Sequence, residues 1–326
     1  MKHRLSIDGL GYSLRPVQLS DAQFILNIRL EDMKRTRYIH EIPNDIELEE
    51  QWIRKYFDRA GDYFFIIENK LTGQSEGTIG IYDMEDGRAE WGRWVIQKSS
   101  LAAVESVDLI YKIAFQVLDL RELYCRTIEK NDSVVSFHDT LPQKRRGILT
   151  DFFELRGEYF NAVEHYVNKK YYNEELSTVL EKKVFMIFQR NLRTVVGKFQ
   201  FHHIGVACNN LERDRKAFQF LGYQTETAAF SDQTQGIKGQ FMIANNQPRI
   251  ELLQNLENCT TLTPYLEKGV KLYHFAYSVN QIEKVYEYLV KCRAKVISPL
   301  KESVYFGKRI CFLMLPNMFL VELVEE

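Results

Sequence analysis

A stretch of this chain occurs twice at a constant spacing of 71 residues, and that repeat limits the fold more than any other feature. The first copy, Phe201 to Gln254, opens FHHIGVACNNLE, and the second, Leu272 to Glu325, opens LYHFAYSVNQIE. Adding 71 carries His203 to His274, Asn209 to Asn280, Glu212 to Glu283, Gly236 to Gly307, Phe241 to Phe312, Asn246 to Asn317 and Glu251 to Glu322. A gap-free offset over this length marks an internal duplication. Each copy reads as a strand, an amphipathic helix and three strands, a βαβββ module whose last two strands form a hairpin. The repeat is also chemical: every copy carries one imidazole on its first strand and one carboxylate on its last.

The duplicated half leaves about 190 residues ahead of it, enough for a second domain with its own core. The 43 basic and 44 acidic residues nearly cancel, which removes any electrostatic case for nucleic acid or an anionic membrane surface. The apolar runs are strand-sized, so no membrane-spanning helix is expected, and the N-terminal MKHRLSIDGLGYSLRP lacks the apolar core of a signal peptide. Five cysteines without a Cys-x-x-Cys pair fit a reduced, cytoplasmic setting.

In the first half, Tyr12 to Pro16 reads as a strand, and helices are expected over Phe24–Ile28 and Asp45–Phe57. Strands follow at Tyr63–Glu68, Gly77–Met84 and Ala89–Ile96, the last two joined by an Asp86-Gly87 turn. A helix over Leu101–Leu118, a strand over Leu123–Ile128, a short helix from Asn131 and a strand from Gly147 come next. Glu158–His165 reads as an inserted helix, Val184–Arg190 as a closing strand, and Asn191–Gly197 as a linker.

This order, with Leu14-Arg15-Pro16 followed by Asp21-Ala22, resembles a GNAT N-acetyltransferase over roughly residues 8 to 192. The resemblance implies acetyl-CoA as co-substrate and a small amine acceptor, with amino sugars as one class. Trp94, Val95 and Ile96 would lie nearest the thioester. Gln97, Ser100, Ala102 and Ala103 would belong to the loop that cradles the pyrophosphate on helix N-terminal amides. Asn131 and Ser133 would contact the cofactor arm. Seven residues after that Asn the family commonly has a Tyr as general acid, and here His138 stands there. The family's loop carries a glycine where this chain has Ser100.

The duplicated half resembles the vicinal oxygen chelate (VOC) superfamily, which includes glyoxalase I and methylmalonyl-CoA epimerase. The match rests on His-x-Gly/Ala in each first strand and Ile/Val-Glu-Leu in each last strand. It implies a divalent metal held by His203, Glu251, His274 and Glu322. Explaining all four as structural residues would require four coincidences at symmetry-related places, because an inward Glu on an apolar strand is costly unless paired. Two imidazoles and two carboxylates suit Mn, Co, Fe, Ni, Mg or Zn. The metal would polarise substrate oxygens and stabilise an enolate-like intermediate. The epimerases' base would fall at Gly239, so Glu322 or Glu251 is the expected catalytic base. Lys238 and its repeat mate Arg309 are expected to bind an anionic substrate.

The expectation is therefore an α+β (α/β) chain, with a GNAT-like mixed-sheet domain over 1–195 and a VOC domain over 199–326 made of modules 200–255 and 271–326. It would be a bifunctional enzyme of acyl-CoA or amino-sugar chemistry, with homo-oligomerisation left open. The alternatives are a single-activity VOC enzyme on a GNAT scaffold, or a VOC-type small-molecule-binding module.

Overall fold

A computed structural model describes residues 2–32 and 36–326. The chain divides into two compact units, Met1–Asn191 and Leu192–Glu326. No helix among the described residues is long and apolar enough to cross a membrane.

The first unit is built on an eight-stranded sheet. Its spatial order is Ile7–Asp8, Tyr12–Pro16, Tyr63–Asn69, Gln74–Glu85, Arg88–Ile96, Glu122–Ile128, Glu158–Asn168 and Lys144–Leu155. The motif Leu14-Arg15-Pro16…Asp21-Ala22 has a physical reading. Arg15 makes two 2.8 Å hydrogen bonds to Asp21 and a 2.7 Å one to Glu68, tying the first long strand to the start of the first helix, Ala22–Leu30.

All neighbouring strands of this sheet are antiparallel except Arg88–Ile96 with Glu122–Ile128. That parallel register spans only Arg88, Ala89 and Glu90 opposite Glu122, Leu123 and Tyr124. A bulge follows: Gly92 faces Gly80 and Val95 faces Thr78, so Arg93 and Trp94 together oppose Ile79. Arg93 takes φ +49°, an unfavourable value for a side-chain-bearing residue. It is held there by paired hydrogen bonds to Asp62 at 2.6 and 2.9 Å and by Thr78 Oγ1, which donates to its carbonyl at 2.8 Å. The bulge bends this strand just beyond the point where its parallel pairing ends.

Two sequence expectations fail here. Glu158–Asn168 is a strand, hairpinned to Lys144–Leu155 through Arg156-Gly157, whose φ values are +54° and +76°. Ser177–Val196 is one helix, not a strand and a linker. Leu176, Leu180 and Val184 are buried four residues apart while Phe185 and Met186 lie exposed, so the apolar run has the helical period. A short apolar run cannot distinguish the two by itself.

In the second unit the two modules form one sheet. The first strands, Phe199–Ala207 and Leu272–Val279, pair antiparallel at its centre. Each pairs in parallel with its own module's last strand, Ile250–Asn255 or Leu320–Glu325. The helices Leu211–Gln219 and Ile282–Lys291 complete the repeat.

Candidate functional site

The four repeated ligand-type residues fall in two adjacent rows across the central strands. In one row Gly205 lies between His274 and Glu251, and in the other Ala276 lies between His203 and Glu322. This explains the His-x-Gly/Ala motif. A Cβ on Gly205 would overlap the His274 ring, so the residue between two large ligands must be small.

His203 Nε2 lies 3.0 Å from Glu251 Oε2, 3.0 Å from His274 Nε2 and 3.3 Å from Glu322 Oε2. His274 Nε2 lies 3.2 Å from Glu322 Oε2 and 3.5 Å from Glu251 Oε2. One ligand atom from each residue falls within 4.8 Å of all the others, and all four residues are buried. Glu322 Oε2 sits within ion-pair range of both rings yet forms no properly directed hydrogen bond. Donor atoms bound at 2.0–2.2 Å to a common centre would be spaced by roughly 3.0–3.5 Å, so the set fits a divalent cation.

The electrostatics agree. Burial alone would lower the His203 pKa, but the carboxylates of Glu251 and Glu322 outweigh it and raise it to about 9. Glu322 is held well below the usual carboxylate range: burial opposes this, and the two imidazoles override it. Without a cation, a proton takes its place.

Lys238 and Arg309 do not join this group. Phe241 and Phe312 face the cup, touching the rings of His203 and His274. Lys238 and Arg309 each lie three positions earlier and so project from the other face. Arg309 is instead bonded to Glu325, at 2.9 Å from Nε, and to Glu283. His202 departs from the alternation that would turn it outward, since its Nδ1 lies 2.6 Å from His203 Nδ1. The base position Gly239 is occupied by a neighbour, because a Cβ there would come within 2.5 Å of Phe230 Cζ. Phe230, Tyr305 and Phe306 line the cavity beside Glu251, His274 and Glu322. Sequence reading missed them, although comparing Thr234-Gln235 with Tyr305-Phe306 at the 71-residue offset exposes the difference.

In the first unit the diverging strands open two adjoining cavities. One, of about 400 Å³, is lined by Trp94, Val95, Ile96, Gln97, Ser100, Ala103, Asn131 and Ser133. Ala102 is fully buried and does not line it. The other, of about 500 Å³, shares Tyr38, Trp94, Val95 and Asn131 with the first and adds Glu90, Arg126 and His138. At the loop, the Leu101 N–H donates to Tyr12 Oη at 3.3 Å and the Ala102 N–H to Ser100 Oγ at 3.1 Å.

His138 is 2 % exposed, and its pKa is lowered to about 3 by burial and by His165 nearby. Its imidazole is therefore neutral at pH 7, carries no imidazolium proton to give a leaving thiolate, and is a weak base as well. Glu90, also missed from the sequence, bonds Arg126 at 2.7 Å. Burial raises its pKa to about 7 against the opposing pull of Arg126. A lone carboxylate in the strand Arg88–Ile96 was the available signal.

Comparison with known proteins agrees with both halves. Residues 13–141 match the acetyltransferase (GNAT) domain family, and residues 202–312 match the glyoxalase/bleomycin resistance protein/dioxygenase superfamily. The chain carries a GNAT acetyltransferase domain followed by a glyoxalase/VOC domain. A GCN5-related N-acetyltransferase from Brucella melitensis superposes with a TM-score of 0.51 at 17% identity, covering 56% of this chain and 86% of that one. FdhC, described as a nucleotide-linked sugar GNAT, gives 0.46 at 26% identity, covering 57% and 99%. A chimera of the spermidine N-acetyltransferase SpeG from Vibrio cholerae with hSSAT gives 0.46 at 19% identity, covering 51% and 99%. No curated protein matches the chain.

Proposed function

We propose that the chain is a two-activity enzyme whose second unit works through a divalent ion held by His203, Glu251, His274 and Glu322. The convergence of these four buried donor atoms carries the reading. When bound, the ion would supply Lewis-acid polarisation of a substrate that chelates through neighbouring oxygens. Phe230 excludes a base at position 239, so proton movement in the cup falls to Glu251 or Glu322. Elemental analysis after exposure to a divalent metal mixture tests this. Near-stoichiometric metal in the wild type, lost in His274→Ala and Glu322→Ala, is expected. Metal-free wild type would overturn it.

For the first unit, acetyl-CoA is assigned to the 400 Å³ cleft, with its thioester beside Trp94 and Val95. A small amine, such as an amino sugar, is assigned to the 500 Å³ cavity, a size in the usual range for small-ligand sites. Glu90 is placed to take the ammonium proton at neutral pH. Tyr38, which lines both cavities, is the candidate proton donor to the leaving thiolate in place of His138. A scaffold role for this unit has one observation in its favour: Tyr12 and Ser100 already satisfy the amides of Leu101 and Ala102. Micromolar acetyl-CoA binding decides against the scaffold.

A further inference from the structure

The space left beside the four ligand-type residues is about 20 Å³, room for little more than one water. What closes the cup is the turn Val304–Gly307, between the strands Lys295–Ser303 and Lys308–Met314. Tyr305 stacks on Phe230 at 3.9 Å between ring centroids and lies 5.4 Å from Phe241. Phe306 lies 6.3 Å from the His203 ring. Both side chains thus come from the second module and cover the first module's half of the cup.

The duplication supplies an internal control. In the equivalent turn of the first module, Asp232 accepts hydrogen bonds from the Thr234 and Gln235 amides at 2.9 and 3.0 Å. It also accepts from Thr234 Oγ1 at 2.6 Å and Gln235 Nε2 at 3.0 Å. In the second module Ser303 replaces Asp232, and its side chain accepts only a 3.3 Å bond from the Phe306 amide. One turn is fastened by four bonds to its carboxylate, while its copy is held by the Ser303 hydroxyl contact and a 2.9 Å bond from the Gly307 amide to the Ser303 carbonyl, and carries two aromatic rings. The recess those rings enter is itself specialised, since Gly239 has no Cβ where one would strike Phe230.

We propose that Tyr305 stands in for part of the substrate: the cup takes a ligand with two neighbouring oxygens and an attached aromatic ring, which displaces Tyr305 and stacks on Phe230. This deepens the metal reading of the same site and rests on it. The ligand's oxygens reach the ligand cluster only when the turn swings out. The ring it brings restores the stacking that the turn gives up, so opening is favoured for aromatic ligands over aliphatic ones with the same oxygens.

The test uses the full chain loaded with cobalt(II), whose visible spectrum reports coordination, and two probes with identical chelating oxygens, phenylglyoxylate and pyruvate. Calorimetric titration should show phenylglyoxylate binding about tenfold tighter than pyruvate, the scale of one aromatic stack. Phe230→Leu should collapse that ratio to below about threefold, and Tyr305→Ala should tighten phenylglyoxylate several-fold by removing its competitor. Neither variant should change the cobalt spectrum of the ligand-free protein. A wild-type ratio near one, weaker phenylglyoxylate binding by Tyr305→Ala, or no binding of either probe to wild type and Tyr305→Ala would overturn the proposal. A missing cobalt spectrum would instead overturn the metal reading, and the metal-free chain then scores the ring preference by the same titration, with a ratio near one refuting it.

Discussion

Raising the pH through about 9 should lower the melting temperature of the metal-free second unit. The His203 pKa stands at about 9 against an ordinary 6.5, because Glu251 and Glu322 outweigh the effect of burial. A proton bound more tightly in the folded state stabilises that state. The contribution is complete below about pH 6.5 and is lost as pH rises through about 9. A difference of about 2.5 units at about 1.36 kcal/mol each gives about 3 kcal/mol. For a unit of 135 residues (326 − 192 + 1), that corresponds to roughly 10 °C in melting temperature. The assay is scanning calorimetry of the EDTA-treated chain at several pH values. All three tryptophans, Trp52, Trp91 and Trp94, lie in the first unit, so the transition silent in tryptophan fluorescence belongs to the second. Adding a divalent cation should abolish the loss, since the ion replaces the proton. An unchanged transition between about pH 6.5 and 9.5, or an equal drop in His203→Gln, would refute the reasoning.

Gly205→Ala should push the His274 ring aside, costing about 1–3 kcal/mol in the second unit and weakening metal uptake, both measurable by metal titration and thermal melts. Ser100→Gly, which removes a side chain lining the 400 Å³ cleft, should tighten acetyl-CoA about fivefold in a calorimetric titration; unchanged affinity would show that the side chain does not limit the approach of phosphate. Acetyl transfer should rise in kcat/KM as pH passes about 7, where Glu90 loses its proton, and Glu90→Gln should remove that rise. Lys238→Ala and Arg309→Ala should leave metal binding in the cup unchanged, because both side chains leave the opposite face of the sheet.

The offset of 71 residues is a one-dimensional property, so the sequence alone carried the duplication, the two modules and the four ligand-type residues. The strand ending at Ile96 was equally legible, since local period encodes it, whereas the Leu14-Arg15-Pro16…Asp21-Ala22 motif was visible only as a resemblance and its Arg15–Asp21 link emerged from the structure. Glu158–His165 and Val184–Arg190 were misread because short apolar runs suit either a helix or a strand, and only packing partners decide between them. Which atoms converge was a matter of tertiary structure. The Gly205 and Ala276 rows depend on cross-strand register, which the linear sequence does not state. The neutral imidazole of His138 arises from burial, and the raised pKa of His203 from carboxylates far away in the chain that outweigh burial. The closing of the cup by Tyr305 and Phe306 required the second module's turn to reach over the first module's sheet. Side chains some 70 residues apart acquire a mutual distance only when the strands between them have paired.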